Sequence, residues 1–458
     1  MPVPPRARLL AGCLAALLLG ACAEPEPPRS VLLISLDTTR ADHLGVYGHS
    51  RDTTPHLDVL AGRGIVFDEV VAPSENTLIS HATLFTGLTP VAHGATHAGD
   101  GQTLAPAVRT LAEDFQEAGF QTGGFVAHGD WLTAAYGMDR GFDTFTSSYR
   151  DAADVFADAE HWLGGLDPER PFFLFIHLFD VHSDPGPRPY EAPEGYAGLY
   201  TDDYTGPLAD WDASPAKGSG FLKAAMDHDL PLTPADRQYL ADMYDEGLRA
   251  LDDELGAFFD RLEPYLDTTW VAVTADHGEE FGEHGAYLHS TFHEGVVHIP
   301  GILVPPRRDA GVLGPPRHVP EQIRLMDFRP TLVGLLGLEP AARAQGADLS
   351  GWLTGEASDS PAGPATVYHQ VLRKDGFKLL RTKEGLRLYD LRRDKGERND
   401  LSGVPEHAER LKAMQQELID LQRRDTELGQ LIQNEAPAAV PGLDAVDLER
   451  LEAIGYTR

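Results

Sequence analysis

Three apolar segments that each end in acidic side chains constrain the fold of this chain more than any other feature. They are SVLLISLD at 30–37, PFFLFIHLFDVH at 171–182 and TTWVAVTAD at 268–276, and amphipathic helical patterns separate them. Segments that are apolar on both faces predict buried parallel strands. Their alternation with helices predicts an α/β fold, a mostly parallel central sheet flanked by helices. Because ligands bind at the carboxyl edge of such sheets, we expect the three terminal aspartates to meet there.

The remaining elements follow from local patterns. We predict one strand over 65–73 (IVFDEVVAP), a helix over 104–120 and a long helix over 233–265. The Pro/Gly-rich stretch between residues 183 and 232 is long for a connection, which favours a lid or binding loop, with a floppy insertion as the alternative.

The texture of the sequence changes near residue 345. We predict a catalytic domain over 30–345, and three short strands that form a small C-terminal antiparallel subdomain over 346–404. A helical tail over 405–458 follows, and its apolar stripe of Leu411, Met414, Leu418 and Leu421 indicates packing on its own protein.

The N-terminus has the charge order of an export signal. Two arginines precede the apolar run LLAGCLAALLLGAC, and the run closes on a sequence that resembles a bacterial lipobox ending at Cys22. We therefore expect a lipoprotein signal peptide over 1–21, a tether over 22–29 and an exported envelope protein, anchored to the membrane through Cys22. An ordinary signal peptide is the alternative.

Charge and cysteine content exclude several classes of function. The chain carries 38 Lys and Arg against 71 Asp and Glu, a net charge of −33, which argues against nucleic acid as a partner. Only Cys13 and Cys22 are present, so the body of the protein has neither a cysteine nucleophile nor a thiolate metal site. An anionic substrate would need a metal ion or local cations to overcome the acidic field.

The strand ends supply the residue types of a metal site. Asp37, Asp180 with His182, and Asp276 with His277 fall at these ends, and two further histidines, His284 and His289, follow closely. Carboxylates and imidazoles without cysteine suit a divalent metal ion such as Zn, Mn or Ca, and mixed His/Asp sets favour zinc or manganese.

Four segments in order carry a family resemblance. They are VLLISLDTTRADHLGVYG, TLISHATLFTGLTPVAHG, TADHGEEFGEHG with FHEGVVHIPGILVPP, and GFKLL with LYDLRRDKGERNDL; the terminal LERLEAIGYTR also fits. Together they resemble the sulfatase family of the alkaline phosphatase superfamily. The resemblance implies an α/β domain with a metal at the strand ends and a small C-terminal antiparallel sheet.

The resemblance also implies individual roles. Asp37, Asp276 and His277 correspond to metal ligands, while His182 and His289 stand where sulfatases have a histidine and a lysine that contact the substrate. Thr77 stands at the position of the cysteine or serine that sulfatases oxidise to formylglycine.

Two departures from the family pattern change the expected chemistry. A second aspartate normally follows the first, and here that position is Thr38; the modification signal Cys/Ser-x-Pro-x-Arg reads Thr77-Leu-Ile-Ser80-His81. Because threonine cannot become formylglycine, we expect Thr77 to act as a metal-assisted alkoxide, as in phosphodiesterases and phosphoglycerol transferases of the superfamily. The hypothesis is a metal-dependent hydrolase that cleaves a phosphoester, with a diester favoured.

Several alternatives stay open at this point. Thr77 could serve as a helix N-cap, although Ser80 is the better capping candidate, and Ser74 is a rival nucleophile. His81 is interpreted as a positioning or acid/base group. Asp180 and His284 could complete a second metal site or orient other ligands.

The alternative functions are a sulfuric ester hydrolase, a transferase of phospho-head groups, and an inactive binding protein. The expected substrate is an anionic ester on a small molecule, glycan or lipid head group.

Overall fold

β1 (Ser30–Leu36) lies in the middle of an eight-stranded sheet, as its continuous apolar sequence requires. The computed structural model describes residues 28–95, 103–183, 188–209, 218–227, 232–339 and 343–435. The predicted signal peptide, Cys22 and the C-terminal LERLEAIGYTR lie outside these residues and stay predictions. Within the described ranges, no helix combines the length and apolarity needed to cross a bilayer.

The strands of the described residues form four sheets. In chain order they are β1, already given, β2 Ile65–Phe67, β3 Val70–Val71, β4 Gln121–Val126, β5 Thr144–Ser147, β6 Phe172–Leu178, β7 Thr269–Thr274, β8 Glu280–Phe281, β9 Tyr287–Leu288, β10 His298–Ile299, β11 Gly301–Val304, β12 Arg317–Val319, β13 Ile323–Arg324, β14 Ala365–Val367, β15 Val371–Lys374, β16 Phe377–Thr382 and β17 Gly385–Asp390.

The helices flank the sheets and pack on them. In chain order they are α1 Pro55–Ala61, α2 Thr77–Thr86, α3 Pro90–His93, α4 Leu111–Glu117, α5 Ala152–Leu163, α6 Gly218–Asp227, α7 Pro234–Arg261, α8 Glu294–Val297, α9 Phe328–Leu335, α10 Ser350–Leu353 and α11 Ala408–Glu435.

The large sheet has the strand order β12-β2-β11-β7-β1-β6-β4-β5. The strands from β7 to β5 are parallel to one another, and β11 runs antiparallel to both its neighbours. The three strands with acidic ends are therefore adjacent, in the order β7-β1-β6. This arrangement confirms the predicted α/β class and brings their carboxyl ends to one edge.

Alternate residues of β1 belong to two different cores. Leu32, Ile34 and Leu36 pack with α1, α5 and α7 on one face of the sheet. Val31 and Leu33 pack with α2, α4 and α9 on the opposite face. A strand buried on both faces follows from a sequence with no polar alternation.

Two predicted elements are wrong in extent. The helix expected over 104–120 is confined to α4, because Thr110 and Glu113 form a reciprocal capping box that starts the helix at Leu111. The single strand expected over 65–73 breaks at Asp68 and Glu69, so that β2 joins the large sheet and β3 a three-stranded sheet.

Near the C-terminus, β14 to β17 form a sheet of four antiparallel strands, where three were predicted; the predicted domain boundaries at 345 and 404 stay predictions. The apolar stripe of α11 packs against this sheet, with Met414 and Leu418 buried among Leu372, Leu379 and Leu388. The described part of the 183–232 stretch consists of turns and bends, a short 3-10 helix (Pro207–Ala209) and α6, and its function as a lid stays a prediction.

Candidate active site

Three side chains of the types that bind metal ions meet at the carboxyl edge of the large sheet. Asp37 directly follows β1, and Asp276 and His277 follow β7. Each offers one ligand atom, and the three atoms lie within 4.8 Å of one another. All three side chains are buried, so the strand-end pattern in the sequence does bring these residues together.

Each of these side chains has one atom left over after its hydrogen bonds are counted. Asp276 Oδ1 accepts hydrogen bonds from the backbone N–H of Thr38 (3.2 Å) and of His277 (2.8 Å). Within the described part of the chain, Asp37 Oδ1, Asp276 Oδ2 and His277 Nε2 have no hydrogen-bond partner although they are buried. Buried polar atoms are rarely left unsatisfied without a reason, and a shared cation would satisfy all three.

The tautomer of His277 suits metal binding. Its Nδ1 lies 3.0 Å from the carbonyl oxygen of Gly278, which can only accept, so Nδ1 carries the proton. Nε2 then presents its lone pair, the arrangement typical of metal-ligating histidines. Burial lowers the pKa of His277 to about 4, which keeps the ring neutral at physiological pH.

The carboxylates of Asp37 and Asp276 repel each other when both are ionised. Burial, and then the neighbouring charge of Asp276, raises the pKa of Asp37 well above its ordinary value. Burial likewise raises the pKa of Asp276. A divalent cation would reverse these effects by stabilising both ionised forms.

Thr77 is the first residue of α2, and its hydroxyl points to the same cluster. Thr77 Oγ1 donates a hydrogen bond of 3.3 Å to Asp37 Oδ2. Ser74, the rival nucleophile, instead donates to Glu75 Oε2 at 2.9 Å. Of the two hydroxyls, Thr77 is therefore the one in contact with a metal-ligand candidate.

The predicted caps of α2 are wrong. Asn76 is the N-cap: its backbone is extended and its side chain accepts a hydrogen bond from the Ile79 N–H at 3.2 Å. Ser80 lies inside the first turn and donates to the Ser74 carbonyl oxygen at 3.2 Å. With Asn76 as the cap, the Thr77 hydroxyl is left for Asp37.

His81 is positioned to hold Thr77. Its Nδ1 donates to the Thr77 carbonyl oxygen one turn earlier (2.8 Å), so its Nε2 accepts from the Ser35 hydroxyl (2.8 Å). Burial lowers the pKa of His81. A neutral ring with both nitrogens engaged favours the positioning interpretation over the acid/base one.

His182 and His289 lie beside the cluster, as their predicted substrate contacts require. The His289 ring is 4.4 Å from that of His277, and the His182 ring is 5.5 Å from that of His289 (centroid to centroid). His289 Nδ1 donates to the Glu75 carbonyl oxygen at 2.9 Å. Burial lowers the pKa of His289 to about 3 and that of His182 well below its ordinary value.

Asp180 and His284 do not join this cluster. Asp180 is exposed, and its carboxylate accepts a hydrogen bond from the Ala152 N–H at the start of α5 (2.9 Å). His284 stacks on His293, with ring centroids 3.5 Å apart, in a separate group that includes Glu397. The predicted second metal site built from Asp180 and His284 therefore does not form, because Asp180 accepts a hydrogen bond at the start of α5 while His284 stacks on His293.

One residue of the site was missed in the sequence. His177 lies on β6 in register with Ser35 of β1, and its Nε2 donates to Asp37 Oδ2 at 2.9 Å. Both side chains are fully buried. The available signal was a single histidine inside an otherwise apolar strand, which by itself is equally typical of a hydrogen-bonded core residue.

The residues present fit a divalent metal ion. Two carboxylates and one imidazole with unsatisfied, converging ligand atoms form a donor set that suits zinc or manganese. His177 donates a hydrogen bond to Asp37, and the backbone N–H groups of Thr38 and His277 donate to Asp276. Hydrogen bonds of this kind orient the ligands of metal sites.

Comparisons with known proteins identify the family of this chain. The sequence model of the Sulfatase family matches residues 29–338. The arylsulfatase of Clostridium perfringens is 23% identical, with 85% of this chain and 93% of that protein covered. The N-acetylglucosamine-6-O-sulfatase of Bacteroides thetaiotaomicron is 24% identical, with 90% of each chain covered.

A solved structure extends the likeness to the fold. The phosphonate monoester hydrolase of Agrobacterium radiobacter superposes with a TM-score of 0.70 at 21% identity, covering 87% of this chain and 96% of that one. Because the family match covers well over half of the chain, this protein belongs to the sulfatase family, whose members are ester hydrolases.

Proposed function

We propose that this protein is a metal-dependent phosphoester hydrolase with Thr77 as its nucleophile and phosphodiesters as its preferred substrates. One observation carries the proposal. A threonine that cannot become formylglycine places its hydroxyl 3.3 Å from Asp37, beside three buried ligand atoms that lack hydrogen-bond partners among the described residues.

With a metal ion bound, the surroundings of Thr77 would favour its ionised form. A metal ion held by Asp37, Asp276 and His277 would lower the pKa of the Thr77 hydroxyl and neutralise charge on the ester oxygens. Thr77 also lies at the N-terminus of the ten-residue helix α2, where the helix dipole stabilises an anion. His81 fixes the carbonyl of Thr77 and thereby the direction of its side chain.

The reaction proceeds by two displacements at phosphorus. Thr77 Oγ1 gives up its proton and forms a bond to phosphorus, while the bond to the leaving alcohol breaks and that alcohol takes up a proton. Water then attacks the phosphothreonine, the threonine–phosphorus bond breaks, and Thr77 regains its proton. His182 and His289, whose rings lie beside the cluster, are the proposed substrate contacts and proton carriers.

A threonine nucleophile disfavours sulfate esters as substrates. Formylglycine releases sulfate because its geminal diol carries a second hydroxyl, and a threonine has no such group. A threonine–phosphorus ester can be hydrolysed by direct attack of water on phosphorus. The structural likeness to a phosphonate monoester hydrolase is consistent with phosphorus chemistry on this fold.

A sulfuric ester hydrolase is the second candidate. The named relatives include an arylsulfatase and a glycan 6-O-sulfatase, and by analogy the substrate would be an anionic ester on a glycan. Transfer of a phospho-head group, and export with anchoring at Cys22, stay proposals from the sequence.

One comparison of substrates tests the proposal. Purified protein is given aryl phosphodiester, phosphomonoester, phosphonate and sulfate ester substrates, with Zn²⁺, Mn²⁺ or Ca²⁺ added singly. We expect phosphodiester turnover to exceed sulfate turnover and Thr77→Ala to abolish it, while the matched control Ser74→Ala keeps most of it. Sulfate turnover well above phosphodiester turnover, or full activity of Thr77→Ala, would overturn the proposal.

A further inference from the structure

The turn that follows β1 has a strained backbone beside the candidate metal ligands. Thr38, directly after Asp37, has a φ of 50°, in the left-handed region. Residues with a β-branched side chain rarely adopt this region, because their Cβ atom crowds the backbone there. The Thr38 hydroxyl is buried and has no hydrogen-bond partner in the part of the chain that the structure describes. The strained conformation is therefore held by groups that contact the backbone of Thr38.

Two hydrogen bonds hold the backbone of Thr38. Its N–H donates to Asp276 Oδ1 at 3.2 Å, and its carbonyl oxygen accepts from the Tyr244 hydroxyl at 2.9 Å. The same hydroxyl oxygen accepts a hydrogen bond from the Arg40 N–H at 3.1 Å. A tyrosine hydroxyl has one proton to donate, so these two bonds fix its orientation. Tyr244 therefore spans the turn that begins at Asp37.

Tyr244 is placed between the two chain segments that carry the candidate ligands. It lies in the long helix α7 and is fully buried. Its ring packs edge-on against Phe281 of β8, with ring centroids 5.1 Å apart. Phe281 follows His277 closely in the sequence. The ring therefore contacts the segment after β7, while the hydroxyl binds the segment after β1.

Arg40 joins the same two segments at a second point. Its Nη1 donates to the Glu279 carbonyl oxygen at 3.0 Å, and its guanidinium carbon lies 5.3 Å from the centre of the Phe281 ring. The backbone N–H of Arg40 is the group that donates to Tyr244. Both hydrogen bonds of the Tyr244 hydroxyl thus act on the spacing between the two segments.

We propose that Tyr244 is a positioning residue of the metal site: its hydroxyl holds Thr38 in the left-handed conformation and thereby sets the spacing of the two carboxylates. Without the hydroxyl, Thr38 would relax toward ordinary backbone angles, and its N–H would turn away from Asp276. Strain at a functional site persists only where the surroundings hold it, and hydrogen bonds behind the ligands set metal affinity. The proposal rests on the proposed function only in requiring a metal ion at these ligands.

The metal affinity of the full chain tests the proposal. The Kd for Zn²⁺ is measured by competition with a chromogenic chelator, and Co²⁺-loaded protein gives the visible spectrum of the bound ion. We expect Tyr244→Phe to raise the Kd roughly tenfold, as the loss of a buried hydrogen bond would, and to shift the cobalt bands.

Tyr47→Phe is the matched control. The Tyr47 hydroxyl also binds a backbone N–H (Gly301, 2.7 Å) and a carbonyl oxygen (Phe67, 3.0 Å), but neither belongs to the turn after β1. Its removal costs comparable structural hydrogen bonds, so the variant should keep the Kd and the cobalt spectrum of the wild type. A Kd raised equally in both variants would refute the positioning role.

A substitution at Thr38 tests the strain itself. Glycine adopts the left-handed region without strain, so Thr38→Gly should remove the need for the Tyr244 hydroxyl. We expect the double variant Tyr244→Phe, Thr38→Gly to recover most of the lost metal affinity. A Kd as high as that of Tyr244→Phe would refute the proposal. Weak binding by Thr38→Gly alone would also refute it, because the Thr38 side chain would then be the acting group.

The outcomes separate this proposal from the proposed function. If wild type and Tyr244→Phe bind Zn²⁺ equally tightly and Asp276→Asn does not, the positioning role is refuted while the metal site stands. If Asp276→Asn binds Zn²⁺ as the wild type does, both proposals fail. If Tyr244→Phe does not fold, as judged by circular dichroism, the double variant should fold and bind Zn²⁺, and its failure to do so would overturn the proposal.

Discussion

Replacing Asp276 by asparagine should raise the stability of the metal-free protein, although it removes a buried active-site carboxylate. Asp276 Oδ1 accepts two backbone hydrogen bonds, which an asparagine oxygen can keep, while Oδ2 has no partner among the described residues. The substitution therefore removes a buried charge close to Asp37 without removing the hydrogen bonds that hold the loop.

The magnitude follows from the spacing of the ligand atoms. Two unit charges 4.8 Å apart, the upper limit for Asp37 and Asp276, repel by roughly 3.5 kcal/mol at an effective dielectric constant of about 20. Because one of the two carboxylates can take up a proton, only part of this repulsion is present in the wild type. We therefore expect the free energy of unfolding of metal-free Asp276→Asn to be higher by about 1–2 kcal/mol at pH 8. Because both folded-state pKa values are raised, the metal-free wild type loses stability as the pH rises above ~4, and the gain in the variant grows with it.

Thermal unfolding in EDTA and in excess Zn²⁺ measures the effect. Saturating metal at about 100 times its Kd should stabilise the wild type by about 2.7 kcal/mol and Asp276→Asn much less. Asp327→Asn is the control, because both Asp327 oxygens accept hydrogen bonds from Arg324, and Ala347 donates to one of them. It should destabilise the protein with or without metal. A loss of stability in metal-free Asp276→Asn as large as in Asp327→Asn would refute the reasoning.

Three further predictions concern the cap, a buried acid and the metal. Asn76→Ala should lower the free energy of unfolding by about 1 kcal/mol in urea titrations, since it removes the N-cap of α2. Burial raises the pKa of Asp252 to about 6, so its contribution to stability is present below pH ~4 and lost as the pH rises through about 6. Asp252→Asn should reduce the fall in unfolding free energy between pH 5 and pH 7.5 by about 1 kcal/mol. Dialysis against EDTA should abolish ester hydrolysis, and Zn²⁺ or Mn²⁺ should restore it.

The parts of the site that could be predicted are those set by strand topology. Parallel strands bring their carboxyl ends together, so Asp37, Asp276 and His277 could be grouped from apolar runs and terminal acids alone. The prediction that Asp180 joins the metal site was wrong because strand topology fixes only where a residue lies, not where its side chain points. It follows β6 as expected, but its side chain turns to the Ala152 N–H, and the direction of a side chain beyond a strand end is set by packing.

Other features depend on contacts between distant parts of the chain. His284 and Glu397 are close only because the C-terminal sheet packs on the α/β body, so their proximity could not be predicted from their neighbours in sequence. The N-cap of α2 could be predicted from the sequence, because asparagine is one of the residues preferred at the N-cap position, and Asn76 lies directly before the helix. Thr77 and Ser80 also carry side chains that can cap a helix, but their hydroxyls donate to Asp37 and to the Ser74 carbonyl oxygen instead.

The most direct test of the central claim is identification of the covalent intermediate. Metal-loaded protein is mixed with an aryl phosphodiester, quenched in acid within the first turnover, digested and analysed by tandem mass spectrometry. Our account predicts a phosphoester adduct on Thr77 that appears with the burst of released alcohol and is absent from Thr77→Ala. An adduct on Ser74, or a burst without any adduct at Thr77, would contradict it.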